Sequence, residues 1–180
     1  MPYPEDLAAR AAIVDLLGSV WHHVPSAIER AHRWGGDWFE LSTPFVRAEG
    51  ARAVSVVGVI EMPLRVAGAD VIAAGIHGVC TRPAHRGHGH FRAAMEEALR
   101  FADSFASVAL LWTEQPAIYE RFGFRRVVEE IVRVELDPPS ARGERPRRLD
   151  PERDDDLALL RRALDARAPI SERLATRDRG

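Results

Sequence analysis

The stretch VCTRPAHRGHGHF, residues 79–91, threads Arg86 and three histidines, His85, His88 and His90, through Gly87 and Gly89. It stands between an apolar run of strand character and an amphipathic run of helical character. The glycines remove side chains that would block a close approach to the backbone, and they permit positive φ. A turn that opens a helix leaves its first N–H groups without intrahelical acceptors and adds the positive end of the helix dipole. Arg86 supplies a planar fork for two phosphate oxygens. A charge-assisted hydrogen bond contributes about 1.5–3 kcal/mol and the dipole about 0.3–1 kcal/mol, so guanidinium and amides dominate. The ligand these groups fit is a diphosphate. Two other readings stay open on the residues alone. The three imidazoles are metal-ligand types, though with no carboxylate or thiolate nearby except Cys80, and zinc sites favour defined spacings. An isolated glycine pattern can also be a plain surface turn.

The elements around the turn are those needed to hold it. Upstream, WFELSTPFVRAE, RAVSVVGVIEMPLRV and DVIAAGIHGVCTR read as three strands by β-branched content and length, divided by turns at EG and AGAD. Downstream, Phe91, Ala94, Met95, Ala98, Leu99 and Ala102 form a helical stripe. SVALLWT then reads as a strand buried on both faces, and PAIYERFG as a short helix with Pro116 in its first turn and Gly123 past its end. FRRVVEEIVRVEL alternates as a last strand. Before all of these, residues 4–17 carry helical spacing at Leu7, Ala11, Val14 and Leu17. Residues 19–39 read as a second helix or helical pair closed by Gly35 and Gly36. The order of elements implies an α+β fold, an α/β/α sandwich around a mixed sheet. Composition shifts at Asp137. We expect one domain over 1–136, a Pro/Arg-rich linker over 137–148, and over 149–180 a helical appendage or the truncated start of a second domain, with no visible core element in ISERLATRDRG.

Bulk properties narrow the function. The 180 residues suffice for one full domain, and 46% are hydrophobic against 29% charged. No apolar run reaches membrane-spanning length, and the first residues carry acids where a signal peptide wants bases, so a cytoplasmic protein is expected. Cys80 is the single cysteine, which precludes an internal disulfide. All 25 basic residues are arginine, excluding lysine Schiff-base chemistry and a Walker-type phosphate loop. A formal charge of −2 gives no electrostatic support for nucleic-acid binding.

Two motifs resemble those of the GNAT (GCN5-related N-acetyltransferase) superfamily. VCTRPAHRGHGHF is similar to its pyrophosphate motif, Arg/Gln-x-x-Gly-x-Gly/Ala, with Arg86 first and Gly89 fourth. IYERFGF, Ile118 to Phe124, is similar to its Tyr-x-x-x-Gly-Phe signature. They follow in the family's order with a helix and a strand between, and the resemblance covers roughly residues 40–136. It implies a mixed, largely antiparallel sheet with splayed central strands. Within the superfamily the pattern most resembles the branch of the enhanced-intracellular-survival acetyltransferases, which carries tandem domains.

The resemblance implies an acyl-CoA-dependent N-acyltransferase that moves the acetyl group of acetyl-CoA to a primary amine, small molecule or peptide, by direct attack in a ternary complex. A non-catalytic acyl-CoA-binding or regulatory module, or a fragment of a tandem acetyltransferase, is the alternative. The diphosphate is expected on Arg86, Gly87, His88, Gly89, His90 and Phe91, and the pantetheine arm along Val79, Cys80 and Thr81; Glu114 joins the cofactor side. Tyr119 matches the family tyrosine and is expected to act as general acid toward the departing thiolate. An aliphatic amine must shed a proton at neutral pH, at a cost of roughly 4–5 kcal/mol, and His77, on the strand before the turn, is the candidate base. Glu61 and Glu114 compete with it. The N-terminal aromatics Trp21, Trp34 and Trp38, with His22 and His23, are candidates for the acceptor pocket. No metal, nucleic acid or membrane partner is expected; a homo-oligomer stays open.

Overall fold

The computed structural model describes residues 6–33, 36–66, 69–127, 133, 147–166 and 173–175. The chain divides into two compact units, one of residues 1–112 with 167–180 and one of residues 113–166.

The first unit is an open sheet with helices on both faces. Its elements are α1 (Leu7–Val20), α2 (Val24–Arg33), α3 (Trp38–Leu41), β1 (Thr43–Glu49), β2 (Arg52–Val66), β3 (Ala69–Thr81), a 3-10 turn (Pro83–His85), α4 (His90–Ala102), β4 (Ala109–Leu110) and β5 (Arg173–Ala175). The strand order is β1-β2-β3-β4, antiparallel except for the parallel β3–β4 pair, and β5 pairs with β2. This is the mixed, largely antiparallel sheet flanked by helices that the element order implied.

Alternation along β1 separates the two faces. Val46 packs into the cluster where Ile13, Leu16 and Leu17 of α1 meet Ala53, Val56 and Cys80. Its neighbours face the other way. Phe45 lies against Phe101 of α4 at 5.5 Å, while Arg47 pairs with Glu97 at 2.7 Å and donates to the Ala93 carbonyl at 3.0 Å. On that face Ala94, Met95 and Ala98 of α4 are fully buried.

Several expected boundaries move, each for a local reason. The first helix starts at Leu7, where the Asp6 carboxylate caps it by accepting from the Ala8 N–H at 2.8 Å. Trp38–Leu41 is a helical turn where the pattern reads strand, because Asp37 accepts from the Phe39 N–H at 2.8 Å and starts a helix. The expected SVALLWT strand shrinks to Ala109–Leu110. Both residues are half-buried, while Val108 and Trp112 are exposed. This strand lies at the sheet edge and leaves β3 after two pairs. In the tail read as lacking a core element, Arg173–Ala175 extends the sheet against Val66–Leu64.

The second unit holds α5 (Ala117–Glu120) and α6 (Asp154–Asp165). Asp156 is its buried anchor, accepting from both terminal nitrogens of Arg147 and from the Asp150 N–H at 2.8 Å. Most of the expected strand FRRVVEEIVRVEL and of the linker lies outside the described residues; residues 124–127 form no strand.

Candidate functional site

The site begins with a defect in the β2–β3 ladder. Val56 pairs with Cys80 and Gly58 with His77, so β3 spends one residue more than β2 over this interval. Gly78 takes up the bulge at φ +57°. On its other edge β3 pairs with β4 only at Ala74 and Gly75, leaving Ile76 through Thr81 without a β4 partner. The bulge and the divergence open a backbone edge that leads straight into the glycine turn. Three expected cofactor contacts, Val79, Cys80 and Thr81, stand on this edge. The Cys80 carbonyl accepts from Ser55 Oγ at 3.2 Å and the Thr81 carbonyl from Arg86 Nε at 3.2 Å. Burial pushes the Cys80 thiol up to about 12, against the opposing pull of Arg82 and Arg86. It is therefore an inert wall at neutral pH.

Beyond Thr81 the chain is pinned before it turns. Arg82 is buried. Its Nε donates to the Ala53 carbonyl at 2.8 Å, a terminal nitrogen pairs with Asp15 of α1, and its own N–H donates to the Val54 carbonyl at 2.9 Å. After the 3-10 turn, Gly87 and Gly89 both stand at φ +81°, and a Cβ on either would meet nothing within 4 Å. Positive φ costs an L-residue about 1–2 kcal/mol, so glycine is the fitting residue at both. Gly89 is the N-cap of α4, and the first helical bond runs from the Ala93 N–H to the Gly89 carbonyl at 3.0 Å. Among the described residues, the N–H groups of Gly87, His88, Gly89 and His90 donate no hydrogen bond. Arg86, next to these residues in the chain, is exposed, and its Nε donates to the Thr81 carbonyl. Open space, unused amides and a fixed cation are what an anionic ligand needs.

His77 sits under the N-terminal helices. Its Nε2 meets Ser42 Oγ at 2.8 Å, and its ring stands edge-on to Trp38 at 4.7 Å. Gly58 gives it room, since a Cβ there would come within 2.7 Å of Nε2. Burial lowers its pKa to about 4, so it is neutral throughout the physiological range. Glu61 is exposed. The turn histidines gather differently: His85 and His90 both face Glu49, at 3.4 and 3.5 Å. Among the described residues no group of three or more His, Cys, Asp or Glu is placed to hold a metal ion.

Tyr119 and Glu114 belong to the second unit. Tyr119 is buried and packs edge-on against Phe124 at 6.0 Å. Burial raises its pKa, and a hydrogen bond from the Thr113 side chain works in the opposite direction. Thr113 Oγ1 itself accepts from the Gln115 N–H at 3.0 Å. Tyr119 thus keeps its proton at neutral pH. Glu114 is exposed.

Residues 8–127 match the acetyltransferase (GNAT) domain family. The chain belongs to the GNAT acetyltransferase family. No curated protein matches it at the level of sequence. Solved structures share the GNAT fold at low identity. An aminoglycoside 6'-N-acetyltransferase from Acinetobacter haemolyticus is 15% identical with a TM-score of 0.57, over 75% of this chain and 97% of that one. A GNAT acetyltransferase from Brucella melitensis, solved in complex with acetyl-CoA, is 18% identical with a TM-score of 0.53, over 68% and 80%. A probable N-acyltransferase from Enterococcus faecalis is 22% identical with a TM-score of 0.55, over 63% of this chain but 29% of that longer one.

The residues that reading the sequence missed in this GNAT domain are Asp15, Ser42, Glu49 and Arg82. Each acts through a partner far along the chain. Only Arg82, placed between the strand and Pro83, carried a local hint.

Proposed function

We propose that this GNAT domain is an N-acetyltransferase that moves the acetyl group of acetyl-CoA to a primary amine, placed within the family in the enhanced-intracellular-survival branch by its HRGHGHF and IYERFGF motifs. The observation that carries the reading is the turn at Gly87 and Gly89, both at φ +81° with open space at each Cβ position, where it opens the 13-residue α4. Arg86 and the amides of Gly87, His88, Gly89 and His90 would hold the diphosphate, with Phe91 flanking it on the first turn of α4. The β3 edge at Val79, Cys80 and Thr81 would carry the pantetheine arm, and Glu114 remains assigned to the cofactor side. Acetyl-CoA supplies the activated acyl group, and this chain's residues orient it and handle protons.

In the reaction the amine nitrogen bonds to the thioester carbonyl carbon, the carbon–sulfur bond breaks, and the sulfur leaves with the electron pair. Tyr119 is the group we assign to protonate that sulfur; a buried phenol that keeps its proton at neutral pH suits the task. His77 fits the base less well. Between an amine near 10.4 and an imidazole near 4, proton transfer is uphill by about 9 kcal/mol. We therefore assign neutral His77 to orienting the β3 edge through Ser42, and the amine's proton to solvent. The same observation favours the second reading, a coenzyme-binding module without turnover.

No helix among the described residues is long and apolar enough to cross a membrane, and we place the enzyme in the cytosol. Release of free thiol from acetyl-CoA, measured against a panel of primary amines, tests the function. Acceptor-dependent release is expected; tight coenzyme binding with no release for any amine would instead establish the binding module.

A further inference from the structure

An open groove of about 500 Å³ runs between α1 and the start of α2, within the roughly 300–1,000 Å³ typical of small-molecule sites. Val14 of α1 and Pro25 of α2 give it an apolar floor. Gly18 lets the two helices close, since a Cβ there would come within 2.9 Å of Pro25 Cγ. The polar lining is Asp15, Ser19 and His22, with no arginine among the lining residues. Asp15 and Ser19 are one turn apart on α1, and His22 follows just past its end, so the three share one helix face.

Each of the three has an acceptor to spare. Asp15 gives its Oδ2 to Arg82; its side chain is 70% exposed, and its Oδ1 takes no hydrogen bond among the described residues. Ser19 Oγ donates its proton to the Leu16 carbonyl at 2.6 Å, which leaves the oxygen itself as an acceptor. His22 is exposed, and a neutral imidazole carries one acceptor nitrogen. The backbone adds to them. Helix α1 runs for 14 residues and its last turn holds no basic side chain, so the negative end of its dipole is uncompensated within that turn. The ligand fitted to such a lining is a cation with several donors and an apolar body. A primary ammonium brings three N–H donors to three acceptors. A quaternary ammonium has the charge without the donors, and an alcohol has one donor without the charge.

We propose that the α1–α2 groove binds a primary ammonium compound with an apolar body, and that Asp15 couples this site to the glycine turn. The coupling rests on the donor site assigned above. Asp15 is the counter-charge of buried Arg82, which ties the end of β3 to the Ala53 and Val54 carbonyls of β2 just before the turn. An ammonium on Oδ1 shares that charge, loosening Arg82 and with it the entry to the turn. Linkage makes the effect mutual, so amine and coenzyme A weaken each other by one factor. An amine in excess thereby restrains donor loading without occupying the amides that seat the donor.

Benzylamine, a cation at neutral pH, is the probe. Benzyltrimethylammonium keeps its ring and charge without the donors, and benzyl alcohol keeps the ring without the charge. Backbone amide proton–nitrogen spectra should show saturable shifts at Gly18, Ser19 and His22 with benzylamine alone of the three. Ser19→Ala and His22→Ala, both at exposed positions, leave the Asp15–Arg82 pair in place and should each weaken benzylamine by roughly three- to tenfold. Calorimetric titration with coenzyme A should give an affinity roughly fivefold weaker in saturating benzylamine than in equal benzyltrimethylammonium, which matches the ionic strength. Groove amides unmoved by benzylamine, or moved equally by all three compounds, overturn the site. Benzylamine-specific shifts with coenzyme affinity unchanged overturn the coupling. A chain that binds no coenzyme A even without amine overturns the donor site and the coupling with it, while the amide shifts decide the groove independently.

Discussion

Replacing Gly89 by alanine separates a backbone cost from a ligand cost. Gly89 stands at φ +81° and ψ −2°, and the new methyl meets nothing within 4 Å. The penalty to folding is therefore the left-handed strain alone, about 1–2 kcal/mol, or a fall in Tm of roughly 2–8 °C. The penalty to coenzyme binding should be larger. If the turn seats the diphosphate as proposed, the methyl would occupy space that is open beside the amides. Losing one charge-assisted bond, about 1.5–3 kcal/mol, weakens coenzyme A by roughly 10- to 150-fold. Gly123 is the matched control, at φ +89° with the same open space at its Cβ position. Gly123→Ala should lose comparable stability and leave coenzyme affinity in place. Calorimetric titration of both variants with coenzyme A, beside thermal unfolding, reads both quantities. Equal affinities in wild type, Gly89→Ala and Gly123→Ala would refute the reasoning that the turn seats the anion.

Other perturbations test the remaining residues. Tyr119→Phe should lower kcat by roughly 10²- to 10⁴-fold with coenzyme affinity retained, and unchanged steady-state turnover would remove the phenol from the mechanism. His77 has its folded pKa near 4 and an ordinary unfolded value near 6.5, so between these limits the unfolded chain binds the extra proton. Stability is then full above about pH 6.5 and declines by up to about 3 kcal/mol as pH falls toward 4; urea titrations should show a shallower decline in His77→Gln, and identical slopes would count against the burial argument. Asp15→Asn removes the charge that pairs with buried Arg82 and should cost about 1–3 kcal/mol by chemical denaturation, while a neutral result would show that the pair does not pin the turn.

What the sequence made legible follows the range of the interactions. β2, β3, the glycine turn and α4 rest on patterns within a few residues of each other, a run of β-branched residues, a glycine pair and a stripe at helical spacing. Trp38–Leu41 misleads because aromatic residues suit a strand, while one carboxylate, Asp37, caps a helix there. The length of β4 depends on where it leaves β3, which no local pattern encodes. The same holds for the polar fixtures of the site. Ser42 meets His77 across 35 residues and Arg82 meets Asp15 across 67, so nothing in either neighbourhood announces the other. The expectation of His77 as base came from its residue type and strand position. Its burial under Trp38, which lowers its basicity, is a tertiary property.

The central claim is that the amides between Gly87 and His90 grip the diphosphate of coenzyme A. Backbone amide proton–nitrogen spectra recorded as coenzyme A is added report on it residue by residue. The account predicts that Gly87, His88, Gly89 and His90 shift most, saturating with one equivalent, together with Val79 on the β3 edge. Saturable shifts confined to other parts of the chain, with these four amides unmoved, would contradict it.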